Sequence, residues 1–310
     1  MERTTEHKIV LITQKTRLEN LVQRYNTMEQ SQFYVEHHGG DFSDYRLEHE
    51  TYHQSVRQVA EFLQTYAKLQ IVDREFVPRY LFGPKDLVVV VGRDGLVANT
   101  LKYLDSQKLI GVNPDPKRWD GVLLPFSADD IPKIVPEFYK GIRPNKSVTL
   151  AEASLNDGQR LYGVNDLFIG QKGHASARYE LKIAGKSEVQ SSSGIIVSTG
   201  LGSTGWFKSI LAGARGIDRF YGVDAGSVDT QFAWDSNFLM FNVREPYPST
   251  STGADLVFGK IDQTKKLHVV SLMPENGVIF SDGVEQDFLQ FNSGTVAEIG
   301  IADKTGNLVV

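Results

Sequence analysis

Hydrophobic positions divide the chain into two halves with different patterns. In the first half, apolar runs of strand length alternate with longer segments whose apolar residues recur at helical spacing. Strands are predicted at 8–13, 32–36, 87–91, 108–112 and 122–124. Helices are predicted from an N-cap at Thr16 to residue 28, at 45–69, at 96–104, and from a cap at Ser127 or Asp129 to residue 139. Strands that alternate with helices at these intervals predict a doubly wound, mainly parallel α/β sheet.

The pattern changes near residue 144, and the second half consists of short strands separated by glycine, serine and asparagine. Strands are predicted at 177–183, 194–199, 238–243, 267–272 and 277–280, with a hairpin turn at 184–186 and one helix near 204–214. We therefore expect two domains, an α/β domain at 1–144 and a β-rich, sandwich-like domain at 145–310. The last residues of the chain could pack back on the first domain.

The composition limits the classes of function. The chain has 310 residues, of which 41% are hydrophobic and 23% charged, as in ordinary globular proteins. Its net charge of −5 predicts no general attraction to nucleic acid or to an anionic membrane. The absence of cysteine excludes disulfides, thiol nucleophiles and thiolate metal sites. The N-terminal residues lack the apolar core of a secretion signal, and no apolar run reaches membrane-spanning length, so a cytoplasmic protein is expected.

The most informative stretch is 86–95, in which five apolar residues lead into Gly92-Arg93-Asp94-Gly95. Asp94 would then lie at the carboxyl end of a buried strand, where open α/β sheets place their ligands. The amides of the turn and of the following helix would form an anion site. A carboxylate cannot neutralise phosphate, so Asp94 is suited to accept a proton or hold a cation, which suggests phosphoryl transfer. The alternative is a turn whose aspartate only caps the helix.

A glycine-rich loop at 200–205 follows an apolar strand and precedes a helix-compatible segment. Its three glycines and two hydroxyls could wrap a phosphate or a dinucleotide, although it is neither a P-loop nor the dinucleotide fingerprint. A flexible strand–helix connection is the alternative. Taken alone, 165–166, 242–246 and 282–283 are turn or salt-bridge signals.

The motif His49-Glu-Thr-Tyr-His53 has the spacing of a zinc protease, with two histidines one helical turn apart. No third ligand follows at the short downstream spacing that such sites often use, and Glu61 is the nearest acidic candidate. We therefore interpret the two histidines as a surface or boundary pair and predict no metal site.

In their order along the chain, these stretches resemble the NAD kinase family, in the superfamily that includes diacylglycerol and sphingosine kinases. The family's Gly-Gly-Asp-Gly-Thr is similar to residues 92–96, its Ile-Gly-Val-Asn to 110–113 and its Asn-Glu to 165–166. Its Ser-Thr-x-x-Gly-Ser-Thr-Ala-Tyr is similar to residues 198–206. The Asp-Pro after residue 113 looks like the mitochondrial type and its bacterial relatives. Residues 242–246 and 282–283 also look like family positions.

The resemblance implies ATP-dependent phosphorylation of NAD to NADP, with an NAD-binding second domain and a homo-oligomer, dimer or tetramer. Asp94 would be catalytic, positioning or deprotonating the 2′-hydroxyl of the adenosine ribose, and Mg²⁺ would arrive with ATP. Small-molecule nucleotides would be the partners, rather than nucleic acid or a membrane. The implied binding residues are Gly92, Arg93, Gly95, Gly202, Ser203 and Thr204 for the phosphates, and Asn165, Asp166, Thr204, Gly205, Trp206 and Ser209 for NAD.

Several residues depart from the family pattern. Arg93 replaces a glycine, Leu96 a threonine and Asp166 a glutamate, while Asp94 is retained. An arginine beside phosphates could add charge-assisted contacts or fill the space that ATP needs. Two rival functions therefore stand beside the first: a lipid or other small-molecule kinase of the same superfamily, and a relative that binds a dinucleotide without turnover.

Overall fold

The computed structural model describes residues 4–223 and 230–310. The chain divides into two units, one formed by Met1–Lys146 with Asn307–Val310 and the other by Ser147–Gly306. The boundary predicted at residue 144 lies beside this division. No helix in the described ranges has both the length and the apolar composition needed to cross a membrane.

The first unit is built on a parallel sheet in the order β2-β1-β3-β4. The strands are β1 (Thr4–Thr13), β2 (Ala67–Asp73), β3 (Leu87–Val91) and β4 (Lys108–Val112). Every residue of β3 is buried, as expected for a central parallel strand covered on both faces. The predicted parallel α/β sheet is confirmed.

Among the described residues of this unit, five helices accompany the sheet: α1 (Arg17–Tyr25), α2 (Met28–His37), α3 (Phe42–Tyr66), α4 (Asp94–Leu101) and α5 (Ile131–Tyr139). Short 3₁₀ turns lie at Arg74–Arg79 and Ala128–Asp130. Thr16 caps α1 as predicted, in a reciprocal capping box with Glu19. Neither predicted cap is the N-cap of α5, which is Asp130 and makes no side-chain capping bond. Ser127 instead caps the preceding 3₁₀ turn through a capping box with Asp130, and Asp129 accepts a hydrogen bond from Gln58.

The strand predicted at 32–36 is wrong, because these residues belong to α2. The side chain of Thr27 caps the helix by accepting a hydrogen bond from the amide of Gln30 at 3.1 Å. Val35 then packs with Leu18 and Phe42 in a small cluster of the first unit. The apolar triplet at 33–35 has high strand propensity, but packing of the helix on its neighbours decides the outcome.

The predicted helix at 45–69 ends earlier, at Tyr66, and the next seven residues form β2. No glycine or proline marks this break, since parallel pairing with β1 supplies the backbone partners that end the helix. The strand predicted at 122–124 is also wrong. These residues form a turn, and only Phe126 makes an isolated bridge, to Val112.

The second unit consists mainly of β-strands in two sheets. The strands are β5 (Asn145–Leu155), β6 (Arg160–Gly163), β7 (Asp166–Gln171), β8 (Ala177–Ile183), β9 (Lys186–Ser192), β10 (Ile195–Ser198), β11 (Leu239–Val243), β12 (Phe258–Ile261), β13 (Leu267–Ser271), β14 (Gly277–Ser281), β15 (Val284–Gln290) and β16 (Val296–Val309).

The six-stranded antiparallel sheet has the order β12-β11-β10-β7-β14-β15, and the other contains β16-β13-β8-β9 with β5 and β6. Residues from both sheets form one hydrophobic core, which confirms the sandwich-like architecture.

Two local predictions in this unit are confirmed. Ala184 and Gly185 both have positive φ, 50° and 76°, and form the two-residue turn that joins β8 to β9. The predicted helix near 204–214 is α6 (Trp206–Phe220), which extends further than its pattern indicates. At the end of β16, Leu308 pairs in parallel with Leu109 of β4.

An ionic cluster in the first unit is centred on Glu48, a buried residue of α3. Its carboxylate contacts Arg17, accepts a hydrogen bond from Arg93 Nη2 at 2.8 Å and lies 3.8 Å from Arg118. Asp44, one turn earlier, is paired with Arg17 and Arg118 as well. Hydrogen bonds from these two arginines lower the pKa of Asp44 to about 2. Glu48 therefore joins α1, α3 and the turn after β3.

Replacing Glu48 with glutamine is predicted to lower the free energy of unfolding by roughly 1–3 kcal/mol, because the charge that balances the guanidinium groups is lost from a buried position. The matched control is Glu50→Gln, an exposed site on the same helix, where a change within ~0.5 kcal/mol is expected. Chemical denaturation measures both. Equal effects of the two substitutions would contradict a structural role for the cluster.

Candidate functional site

The turn between β3 and α4 fixes the position of Asp94. Gly92 is buried, and a Cβ there would lie 2.8 Å from a methyl of Leu96. Asp94 is the first residue of α4, and Arg93, at the N-cap, makes no side-chain capping bond. The Oδ1 atom of Asp94 accepts a hydrogen bond from the amide of Leu123 at 2.7 Å. The carboxylate thus ties this turn to the 121–124 loop instead of capping its own helix.

The side chain of Arg93 is held by protein groups. Its guanidinium donates to Glu48 and lies over the ring of Trp119, 4.0 Å from the centroid. Its charge is therefore already balanced within the first unit. Gly95, the last glycine of the turn, is exposed. The turn after β3 and the start of α4 contain Gly92, Arg93, Asp94 and Gly95. Of these residues, only Arg93 contributes its side chain to the ionic cluster.

The residues of the second unit meet around the turn at 164–166. The carboxylate of Asp282 accepts hydrogen bonds from the amides of Val164 at 3.0 and 3.1 Å and Asn165 at 2.6 Å, with a longer contact to the amide of Asp166 at 3.4 Å. The amide of Asp282 donates back to the carbonyl of Asp166 at 3.1 Å. This arrangement, which we call the Asp282 clamp, fixes the backbone that carries Asn165 and Asp166.

Asp282 also occupies the hairpin turn that its sequence predicts. It has φ 54° and Gly283 has φ 69°, and together they join β14 to β15. The turn interpretation was therefore correct but incomplete. Sequence reasoning missed the clamp because Asp282 and Asp166 are 116 residues apart and neither pattern predicts the other.

Asp166 has an unusual carboxyl group. It is buried, and burial together with the negative charge of Asp282 raises its pKa to about 7. The carboxyl of Asp166 is therefore protonated in acidic solution and ionised only in mildly alkaline solution. Such a group can donate a hydrogen bond when neutral and accept one when charged. Perturbed carboxyl groups of this kind are often found at functional sites.

The glycine-rich loop packs directly on the 164–166 turn. A Cβ on Gly202 would lie 2.0 Å from the carbonyl oxygen of Asn165, so only glycine fits without a backbone shift. The hydroxyl of Thr199 donates to the carbonyl of Val164 at 2.6 Å and accepts from the amide of Gly202 at 3.2 Å. The structure thus brings Asn165, Asp166 and Gly202 together, and it adds Thr199 as a residue that positions them.

The remaining loop residues differ in exposure. Ser203 is fully buried, and its hydroxyl donates to the carbonyl of Gly200 at 2.7 Å, so this side chain serves the loop itself. Thr204 and Gly205 are exposed, as is Ser209 in the first turn of α6. The exposed members of the predicted set are the ones whose side chains or backbone can meet a ligand.

Trp206 presents an aromatic surface close to this loop. Its ring stacks nearly parallel to Phe168, with centroids 5.9 Å apart, and the guanidinium of Arg244 lies 5.3 Å from its centroid. Phe168 follows Asp166 by two residues in β7, so the aromatic pair continues from the clamped turn. Stacked aromatic rings of this kind are suited to a planar base.

Replacing Gly202 with alanine is predicted to lower the free energy of unfolding by roughly 2–4 kcal/mol, because the new methyl overlaps the Asn165 carbonyl. The control is Gly213→Ala in the exposed interior of α6, where a Cβ meets nothing within 4 Å. There alanine is expected to stabilise the protein by up to ~1 kcal/mol. Thermal or chemical unfolding tests both, and a neutral Gly202→Ala variant would contradict the close packing.

Asp166→Asn is predicted to be most stabilising at alkaline pH. The folded pKa of Asp166, about 7, lies above the ordinary pKa of an aspartate, 3.8, so the native state loses stability as pH rises from 3.8 through 7. Between pH 5 and 8.5 the variant should gain on the wild type by up to roughly 3 kcal/mol.

The control for this experiment is Asp262→Asn, at a partly exposed site in the same unit. Hydrogen bonds from Thr264 lower the pKa of Asp262, so its contribution to stability is already complete above the ordinary pKa of an aspartate, and the difference between this variant and the wild type should stay constant between pH 5 and 8.5. Denaturation at several pH values measures both slopes. A difference for Asp166→Asn that is as independent of pH as that of the control would contradict the elevated pKa of Asp166.

The chain is similar in sequence to a curated protein and in fold to solved structures. No family model matches it. Human mitochondrial NAD kinase 2 is 26% identical over 250 residues, which cover 64% of this chain and 57% of that protein. The chain therefore spans less than two thirds of this curated relative.

Two solved structures share the fold. An NAD kinase from Archaeoglobus fulgidus, in complex with ATP, has a TM-score of 0.55 and 14% identity, covering 98% of this chain and 93% of its own. Yeast NADH kinase complexed with NADH has a TM-score of 0.60 and 13% identity, covering 98% and 83%. The α/β unit and the antiparallel β unit match the two-domain architecture of these enzymes, and the resemblance seen in the sequence is confirmed. The chain is thus similar to NAD kinases in sequence and in fold.

Proposed function

We propose that this protein transfers the γ-phosphoryl group of ATP to the 2′-hydroxyl of the adenosine ribose of NAD, giving NADP⁺. The observation that carries the proposal is the meeting of Asn165-Asp166 with Gly202 at the Asp282 clamp. These are residues that resemble the family's dinucleotide-binding motifs, and they are distant in sequence. The fold shared with an ATP complex and an NADH complex supports the same two substrate classes.

In this proposal Asp94 positions or deprotonates the acceptor hydroxyl. Its Oδ1 is held by the Leu123 amide, and among the described residues Oδ2 has no hydrogen-bond partner, so one oxygen orients the group while the other can accept a proton. Phosphoryl transfer depends mainly on positioning and on neutralising charge, which the protein and Mg²⁺ bound to ATP would provide.

Each unit offers recognition elements of its own. The amide of Gly95, in the first turn of α4, offers a donor for phosphate oxygens. The amide of Gly92 instead donates to the carbonyl of Val112 at 3.2 Å, and the Arg93 side chain remains on Glu48 and Trp119. In the second unit, Asn165 and Asp166 offer polar groups for a ribose, and Thr204, Gly205, Trp206 and Ser209 offer exposed loop and helix surface. Ser203 contributes through its backbone, since its hydroxyl is used internally.

The proposed partners are small-molecule nucleotides rather than nucleic acid or a membrane, and the resemblance to the family supports a homo-oligomer. The net charge of −5 agrees with this choice of partners, because it gives the protein no general attraction to polyanions.

Asp94→Asn is predicted to lower the turnover number for NADP⁺ formation by roughly 10²–10⁴-fold, because asparagine cannot accept the proton. Binding of NAD should be retained. A dehydrogenase that reduces NADP⁺ to NADPH reports the product from ATP, Mg²⁺ and NAD. The matched control is Asp120→Asn, an exposed aspartate in the same unit, which should keep full activity.

The same assay separates the rival functions. NAD bound without any product in the wild type would favour a dinucleotide-binding relative that lacks turnover. Product formed only with a lipid acceptor would favour a lipid kinase of the superfamily. Wild-type activity that survives Asp94→Asn unchanged would contradict the catalytic role of this aspartate.

A further inference from the structure

The two histidines of α3 that resemble a zinc motif acquire a third potential ligand in the folded chain. Glu19, from α1, lies beside His49 and His53, and one ligand atom from each residue is within 4.8 Å of the other two. All three side chains are partly exposed, and no other group of this kind occurs in the described residues. The spacing of the zinc motif places a third ligand downstream of His53. It does not point to Glu19, because Glu19 precedes the histidines on a different helix.

We propose that Glu19, His49 and His53 form a binding site for a divalent transition-metal ion, with Zn²⁺ as the natural probe. Two imidazoles and one carboxylate are a donor set that Zn²⁺ accepts, and water would complete the tetrahedron from the exposed side. Ligand atoms of a tetrahedral zinc site are about 3.3 Å apart, so these partly exposed side chains must close by at most about 1.5 Å. This inference is independent of the proposed kinase function.

The capping box of α1 holds the carboxylate in place for this role. Oε2 of Glu19 accepts a hydrogen bond from the Thr16 amide at 2.7 Å, while Oε1 faces His53 Nε2 at 3.1 Å. One oxygen is therefore fixed by the helix start, and the other is directed at the imidazole. Glu19 needs little rearrangement to reach a shared ion.

Thr16 orients the second imidazole. Its Oγ1 lies 3.0 Å from Nδ1 of His49 and accepts a hydrogen bond from the Glu19 amide at 3.2 Å. If Nδ1–H of His49 donates to this hydroxyl, Nε2 carries the lone pair that a metal requires, as in many zinc sites where the second ring nitrogen is hydrogen-bonded. The same threonine thus caps α1 and positions a ligand.

The alternative is that the cluster is only an ion pair between Glu19 and His53 beside a hydrogen-bonded His49. The i, i+4 spacing brings the rings of His49 and His53 to 4.4 Å between centroids. Two imidazoles held this close beside a single carboxylate are better matched by a dipositive ion than by two protons, which would repel each other. Bound metal would cross-link α1 to α3 next to Glu48, the residue that holds Arg93.

The test is titration of the full chain, freed of any histidine tag and of metal, with Zn²⁺ in a calorimeter and with Co²⁺ by visible absorption. We expect one equivalent of Zn²⁺ per chain and a rise of a few degrees in the unfolding temperature. Glu19→Gln and His53→Ala should each weaken Zn²⁺ binding at least tenfold and remove the temperature rise. Glu19→Gln is the sharper variant, because glutamine can keep the capping box while losing the charge.

The control is the double variant His37→Ala, His38→Ala, which removes two exposed histidines of the same unit and should bind Zn²⁺ like the wild type. Excess Mg²⁺ should leave the Zn²⁺ signal unchanged, since imidazole does not favour Mg²⁺. No Zn²⁺ uptake by the wild type, equal binding by Glu19→Gln, or loss of binding in the control would overturn the proposal.

Discussion

The carboxylate of Asp282 is the interaction on which the candidate site of the second unit depends. By accepting the amides of Val164 and Asn165, it converts a short connection between β6 and β7 into a fixed turn. Because a buried amide without a partner is costly, this turn would not keep its shape without the clamp. The charge of Asp282 also contributes to the raised pKa of Asp166, so one side chain sets both the backbone geometry and the ionisation of the site.

In the first unit, other contacts fix the position of Asp94. β3 is buried and central, and it delivers Asp94 to the start of α4, where the Leu123 amide holds one carboxylate oxygen. Arg93 departs from the family pattern, and the structure gives this residue a place of its own on Glu48 and Trp119. The substitution is therefore accommodated by an ionic cluster that involves α1 and α3, and it need not use the amides of the turn.

What the sequence predicts well is local. The predictions of β3 from its continuous apolar run and of the turn at Ala184-Gly185 are confirmed, because buried strands and tight hairpins have strong local signals. The predicted strand at 32–36 is wrong because packing of the helix overrides strand propensity there. The start of β2 was predicted as helix, and parallel pairing with β1 overrides that pattern. The predicted residues Asn165, Asp166 and Gly202 do meet. Thr199 and Asp282 lie in stretches that resemble the family, but the contacts through which they position this turn could not be predicted from the sequence. Contacts across more than a hundred residues leave no mark in spacing or periodicity.

The Asp282 clamp holds the 164–166 turn in place in the ligand-free protein. Hydrogen exchange of individual amides, followed by NMR in the ligand-free protein, tests it most directly. The amides of Val164 and Asn165 should exchange as slowly as those of the neighbouring strand β7, and Asp282→Ala should release them selectively while the core of β3 stays protected. Rapid exchange at these two positions in the wild type, or protection that survives Asp282→Ala, would show that Asp282 does not hold this turn.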